Sequence, residues 1–149
     1  TGLIKFLDYE DELAGVMGHE IAHADLRHST QQLTQTYGVT TLLSILLGED
    51  PGLLAEIAAG LTSLSFSRSD EVESDMSSVD YLCATDYAAD GTAGFFEKLE
   101  GLELPEFLST HPSSESRVED ITNYALEQGC EVSNNPNSDY QALIDALPQ

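Results

Sequence analysis

Five consecutive residues, His19-Glu20-Ile21-Ala22-His23, carry the plainest chemical message in this chain. On a helix, side chains four apart stand one above the other on the same face. Two imidazoles so placed can both reach a single zinc ion at about 2.0–2.1 Å. Glu20 points to the side, close enough to take a proton from a water on that ion. This is the arrangement that metal-assisted peptide hydrolysis requires. A pattern with three fixed positions also arises by chance, in on the order of one chain in a hundred of this length. Context therefore has to decide.

A catalytic zinc takes three protein ligands and keeps one position open. The candidates for the third are His28, His111 and the many carboxylates. On a continuous helix His28 points a quarter turn or more away from the His19/His23 pair. It reads more simply as a helix C-terminal residue, favourable with the dipole there. Glu71 and Asp75, in Glu71-Val72-Glu73-Ser74-Asp75, are four apart and share a face. One can bind metal while the other accepts a hydrogen bond from a liganding histidine. In so acidic a chain the same spacing also describes an ordinary solvated helix face.

The elements that must position these residues read as helices. Asp8 is an expected N-cap, with Glu10, Asp11 and Glu12 in a first turn where the dipole favours negative charge. The helix then runs through Leu13, Val16, Met17, Glu20 and Ala24 to about His28. A second helix is expected over residues 30–47, and Asp50-Pro51 starts a third through Leu53, Leu54, Ile57, Leu61 and Leu64. A fourth spans about 69–87 and is broken by Asp90-Gly91. Thr92 caps a short helix carrying Phe95, Phe96 and Leu99. Residues 101–112 read as an irregular connection, followed by a helix over 114–128 that stops at Gly129, a loop over 132–138 and a terminal helix over 140–147. Only Leu3 to Phe6 hints at a strand.

The chain has 149 residues, 41% of them hydrophobic, which suits one compact domain over 1–149 and excludes a disordered tail. The longest apolar run, Val39 to Leu47, falls far short of the roughly 20 residues a bilayer span needs. No signal peptide is visible and the chain opens on Thr1-Gly2, which reads as a fragment of a longer precursor. There are 27 acidic and 5 basic residues, a formal charge of -22. Such a field repels nucleic acid and anionic membrane surfaces. It suits a salty medium or, alternatively, the steering of cationic partners. Arg27, Arg68 and Arg117 are the three arginines, and each lies beside one of the motifs. Cys83 and Cys130 allow one disulfide. Cys83 falls on an apolar stripe with Val72, Met76 and Val79, so a buried free thiol is the alternative. A disulfide would argue for export.

Taken in order, His19-Glu20-x-x-His23, Ser67-Arg68-x-x-Glu71-x-x-x-Asp75 and Thr110-His111-Pro112 followed by Arg117 resemble peptidase family M forty-eight. The lead-in Thr1-Gly2-Leu3-Ile4 and the run Asp11 to Val16 resemble it as well, so the likeness extends from Thr1 to about Val118. It implies a mainly α, gluzincin-type helical metallopeptidase core with at most a small β element at the N-terminus. It implies one zinc per chain, with Glu71 as the third ligand and Asp75 orienting a ligand histidine. It places the His111 loop near the metal, as a transition-state donor or a reversible fourth ligand. Arg117 would pair with Asp75 or help stabilise the oxyanion.

The resemblance further implies a zinc endopeptidase acting on protein or peptide substrates. The absence of membrane spans around the metal helix favours the soluble branch of the family, with an exported, periplasmic or envelope location and a role in envelope protein quality control. Members of the family usually carry a strand before the Thr-Gly-Leu lead-in, on which substrate can lie by β-addition. Here the sequence starts at that lead-in. Two other readings follow: a latent, zinc-bound module that binds proteins without cutting them, and a metal-free scaffold.

Overall fold

The computed structural model describes residues 2–48, 51–60, 65–99, 110–111, 116–132 and 138–147. Among them the regular structure is helical: α1 (Gly2–Phe6), α2 (Glu10–Asp25), α3 (His28–Tyr37), α4 (Val39–Leu46), α5 (Pro51–Gly60), α6 (Arg68–Leu82), α7 (Gly91–Leu99), α8 (Arg117–Glu127) and α9 (Ser138–Asp145). No strand occurs among the described residues. The mainly α expectation holds. Leu3 to Phe6, the one stretch that hinted at a strand, is helical, its turn closing on Leu7 N–H to the Leu3 carbonyl at 3.2 Å. With no strand beside it among the described residues, a local helix satisfies that backbone.

Helix α2 is the hub, packed against α6 on one side and α7 on the other, with α8 across α6 and α7. Its approach to both partners is set by small residues. A Cβ at Gly15 would run into the backbone of Gly91 and Thr92. A Cβ at Gly91 would run into the Asp11 carbonyl. Ser78 Oγ donates to the Gly15 carbonyl at 3.0 Å and lies 3.2 Å from Thr92 Oγ1. This seam of Gly15, Gly18, Ala22, Ser74 and Ser78 is buried and lets the two backbones come close. Below it Leu7, Val16, Val79, Leu82, Phe95, Phe96, Ile121, Ala125 and Tyr140 form the apolar core.

Several expected boundaries move, each for a local reason. Tyr9, rather than Asp8, is the residue before α2, because the Glu12 carboxylate reaches back to the backbone N–H groups of Asp8 and Tyr9 at 2.8 and 3.3 Å. Asp8 instead pairs with Lys98 at 2.8 Å. The expected helix over 30–47 is two helices, divided at Gly38, whose φ of 78° a glycine adopts without strain. Thr92 sits inside α7 rather than capping it. Helix α6 ends at Leu82, and Cys83 turns outward into a disulfide with Cys130, Cα to Cα 5.1 Å. The buried free thiol is thereby corrected: Cys83 and Val72 are exposed, while Val79 is fully buried. Leu61, Leu64 and nearly all of 101–112 lie outside the described residues. No described helix is long and apolar enough to cross a membrane.

The α2/α7 contact is testable. Gly15→Ala should cost about 1–3 kcal/mol, because rigid backbone must move to admit the methyl. Gly2→Ala, with nothing within 4 Å of the added carbon, should be near neutral. Urea unfolding midpoints at constant slope would measure both.

Candidate metal centre

His19 and His23 leave the same face of α2 and are 3% and 4% exposed. Helix α6 faces them, and its start is fixed by a reciprocal cap. Ser67 Oγ accepts from Asp70 N–H at 3.2 Å, and Asp70 Oδ2 accepts from Ser67 N–H at 3.0 Å. That cap sets the phase of the first turn and points Glu71 at the imidazole pair. Glu71 and Asp75 are each 1% exposed, so they are not a solvated helix face.

The donor atoms converge. His19 Nε2 and His23 Nε2 are 3.0 Å apart. Glu71 Oε2 is 3.6 Å from His19 Nε2, and Glu71 Oε1 is 3.4 Å from His23 Nε2. Donors around one tetrahedral zinc at 2.0–2.1 Å lie about 3.3 Å from each other, so this spacing fits such an ion. Two further observations agree. Asp75 Oδ1 takes the hydrogen bond of His19 Nδ1 at 2.9 Å, leaving Nε2 as the nitrogen that faces the cluster. Glu71 Oε2 is buried and accepts no hydrogen bond, a costly condition that a cation relieves.

His111 joins from the other side. Its Nδ1 lies 3.0 Å from Glu71 Oε1 and its Nε2 lies 3.6 Å from Glu20 Oε1. One ligand atom from each of His19, His23, Glu71 and His111 falls within 4.8 Å of the others. Glu20 stands beside this set with its side chain half exposed, open to solvent where a reactant would arrive. Arg117 lies deeper. It grips Asp75 with two hydrogen bonds of 2.7 Å, lies across the Phe96 ring at 3.9 Å, and brings Nη1 to 3.0 Å from Glu71 Oε2 without hydrogen-bond alignment. The other two arginines, Arg27 and Arg68, are exposed.

Burial pushes the Glu71 carboxyl up, but hydrogen bonds from His111 and His23 and the charges of His111 and Arg117 outweigh it. They lower it from 4.5 to about 2. The site therefore presents an ionised carboxylate to any cation.

The family model of Peptidase family M48 matches residues 1–125. The chain belongs to that family. It is 33% identical over 121 residues to the mitochondrial metalloendopeptidase OMA1 of Arabidopsis thaliana, covering 78% of this chain and 25% of that protein. It is 30% identical over 131 residues to the metalloprotease YcaL of Escherichia coli, covering 81% and 51%. It is 31% identical over 148 residues to the beta-barrel assembly-enhancing protease of the same bacterium, covering 84% and 29%. The chain thus spans about a quarter to a half of these relatives. Membership of a metallopeptidase family implies a metal ion, and His19, His23, Glu71 and His111 form a group of buried donors able to hold one.

Sequence reasoning misplaced one contributor and missed another. His28 is not a helix C-terminal residue: α2 ends at Asp25, Arg27 takes a left-handed conformation at φ 60°, and His28 opens α3, 1% exposed. It packs against His23, their Nδ1 atoms 2.9 Å apart. Phe66 stacks on His23 with ring centroids 4.0 Å apart. Its N–H bonds the Thr110 carbonyl at 3.0 Å, tying the approach to α6 to the His111 segment. The only sequence signal for Phe66 is an aromatic residue just before Ser67.

Two outcomes follow. Arg117→Met should cost about 3–5 kcal/mol, since it strips the cation from buried carboxylates. Adding Asp75→Asn should recover part of that loss in urea unfolding. The lowered Glu71 value favours the folded state above pH 4.5, and this contribution is lost as pH falls toward 2. In metal-free protein, Glu71→Gln should flatten the stability profile across that window.

Proposed function

We propose that this chain is the catalytic core of a zinc endopeptidase in which His19, His23 and Glu71 hold the ion. The observation that carries the reading is the convergence of two imidazole Nε2 atoms on a buried carboxylate whose Oε2 accepts no hydrogen bond. When bound, zinc supplies a Lewis acid that polarises the scissile carbonyl and acidifies an attacking water. Glu20 Oε1, solvent-facing beside the site, takes the proton from that water and returns it to the leaving amine. His111 Nε2, opposite Glu20, donates to the developing oxyanion. Arg117 acts by pairing Asp75, which holds the His19 ring in place.

Protein or peptide substrates follow from the family. An exported, envelope-associated setting and a role in envelope protein quality control are supported by the relatives named as beta-barrel assembly-enhancing proteases. The Cys83–Cys130 disulfide supports export independently, since such bonds persist in oxidising compartments. A second reading, a latent zinc module, is favoured by one observation: His111 lies within the donor set, where it can occupy the fourth position.

Elemental analysis should find one zinc per chain, lost in His23→Ala. Glu20→Gln should keep the zinc while cleavage of an unfolded protein substrate falls at least about 100-fold. Undiminished cleavage by that variant would sink the mechanism. Zinc with no cleavage in the wild type, but cleavage in His111→Ala, would select the latent module.

A further inference from the structure

We propose that His28 is a positioning residue for His23, the middle of a relay that runs Glu73–His28–His23 and fixes which His23 nitrogen faces the metal. This rests on the reading of His23 as a ligand. His23 Nε2 faces the donor cluster, 3.0 Å from His19 Nε2 and 3.4 Å from Glu71 Oε1, so its lone pair must lie there and its proton on Nδ1. His23 Nδ1 points the opposite way, at His28 Nδ1 2.9 Å off. A donor at His23 Nδ1 demands an acceptor at His28 Nδ1. That in turn demands a proton on His28 Nε2, and this nitrogen lies 3.4 Å from Glu73 Oε2, a carboxylate that can only accept. Each atom type along the path suits one tautomer at each ring.

The alternative tautomer breaks the site. A proton on His28 Nδ1 would donate to His23 Nδ1 and force the His23 proton onto Nε2, among the metal donors. Ser74 Oγ, 3.3 Å from His28 Nδ1, is a longer contact whose hydroxyl can rotate away. The two ligand histidines are therefore held by different means. His19 has Asp75 directly behind it, while His23 has a carboxylate one ring further back. The left-handed turn at Arg27 makes the second arrangement possible, since it swings His28 beneath His23.

The test combines zinc affinity, measured by chelator competition, with nitrogen NMR of the histidine tautomers in zinc-loaded wild type. His28→Leu should weaken zinc 10- to 100-fold, the loss typical of removing such a partner. His28→Asn, whose side-chain oxygen can accept from His23 Nδ1, should bring affinity back to within a few-fold of wild type. The spectrum should show protons on His23 Nδ1 and His28 Nε2. Glu73 is largely exposed, so Glu73→Ala tests the outer end of the relay without disturbing the core, and should weaken zinc a few-fold. A proton on His28 Nδ1, or wild-type zinc affinity in both His28→Leu and Glu73→Ala, would overturn the relay while leaving the metal reading intact. Wild type that binds no zinc would overturn the metal reading itself, and the relay with it.

Discussion

Glu71 and Asp75 stand one helical turn apart at 1% exposure, and two carboxylates so placed repel each other and lose hydration worth several kcal/mol apiece. Nearly everything around them compensates for that burial. Asp75 takes both hydrogen bonds of the Arg117 fork and a third from His19. Glu71 leans on His111 through one oxygen, while the other accepts no hydrogen bond and has the misaligned charge of Arg117 beside it. The partly satisfied member of the pair is the one facing the histidines. That asymmetry separates a carboxylate serving as an anchor from one able to take a cation.

The same constraint explains the packing. For α6 to deliver its carboxylates to His19 and His23, its axis must come close to that of α2, and only small side chains allow this. Gly15, Gly18 and Ala22 meet Ser74 and Ser78 along the seam, and the serine hydroxyl of Ser78 bonds to the α2 backbone. Helix α7 closes from the other side through Gly91, and places Phe96 beneath the Arg117 guanidinium. The disulfide joins the end of α6 to the turn after α8, while Arg117 at the start of α8 pairs with Asp75 midway along α6, so the two helices are tied at two separate points. Rigidity of this kind is what preorganised ligands need.

The surface tells a different story from the interior. The net charge is -22, and among the described residues most acidic side chains lie outside, whereas Arg117 and Lys98, the cations that enter the fold, each meet a buried carboxylate: Arg117 on Asp75, Lys98 on Glu12. In a chain so poor in positive charge, the interior claims what little there is. The acidic exterior is a matter of solubility and partners rather than of fold.

What the sequence determined by itself was local. The four-residue spacing of His19 and His23 obliges them to share a face of any helix, and the three-four pattern of apolar residues made helices the expected elements. Gly129 was legible as a helix stop because a positive φ there suits glycine. The pairing of Glu71 with the histidines was readable only through family resemblance, since in an acidic chain its spacing equally describes a solvated face. Tertiary structure decided that it is buried, that Cys83 faces out to meet Cys130, and that Arg117 sits behind Asp75 rather than in the open site. It also decided the place of His28: five residues after His23 it belongs to a different face on a continuous helix, and only the turn at Arg27 returns it. Periodicity describes a helix that continues, and it carries no information on where the chain breaks and doubles back.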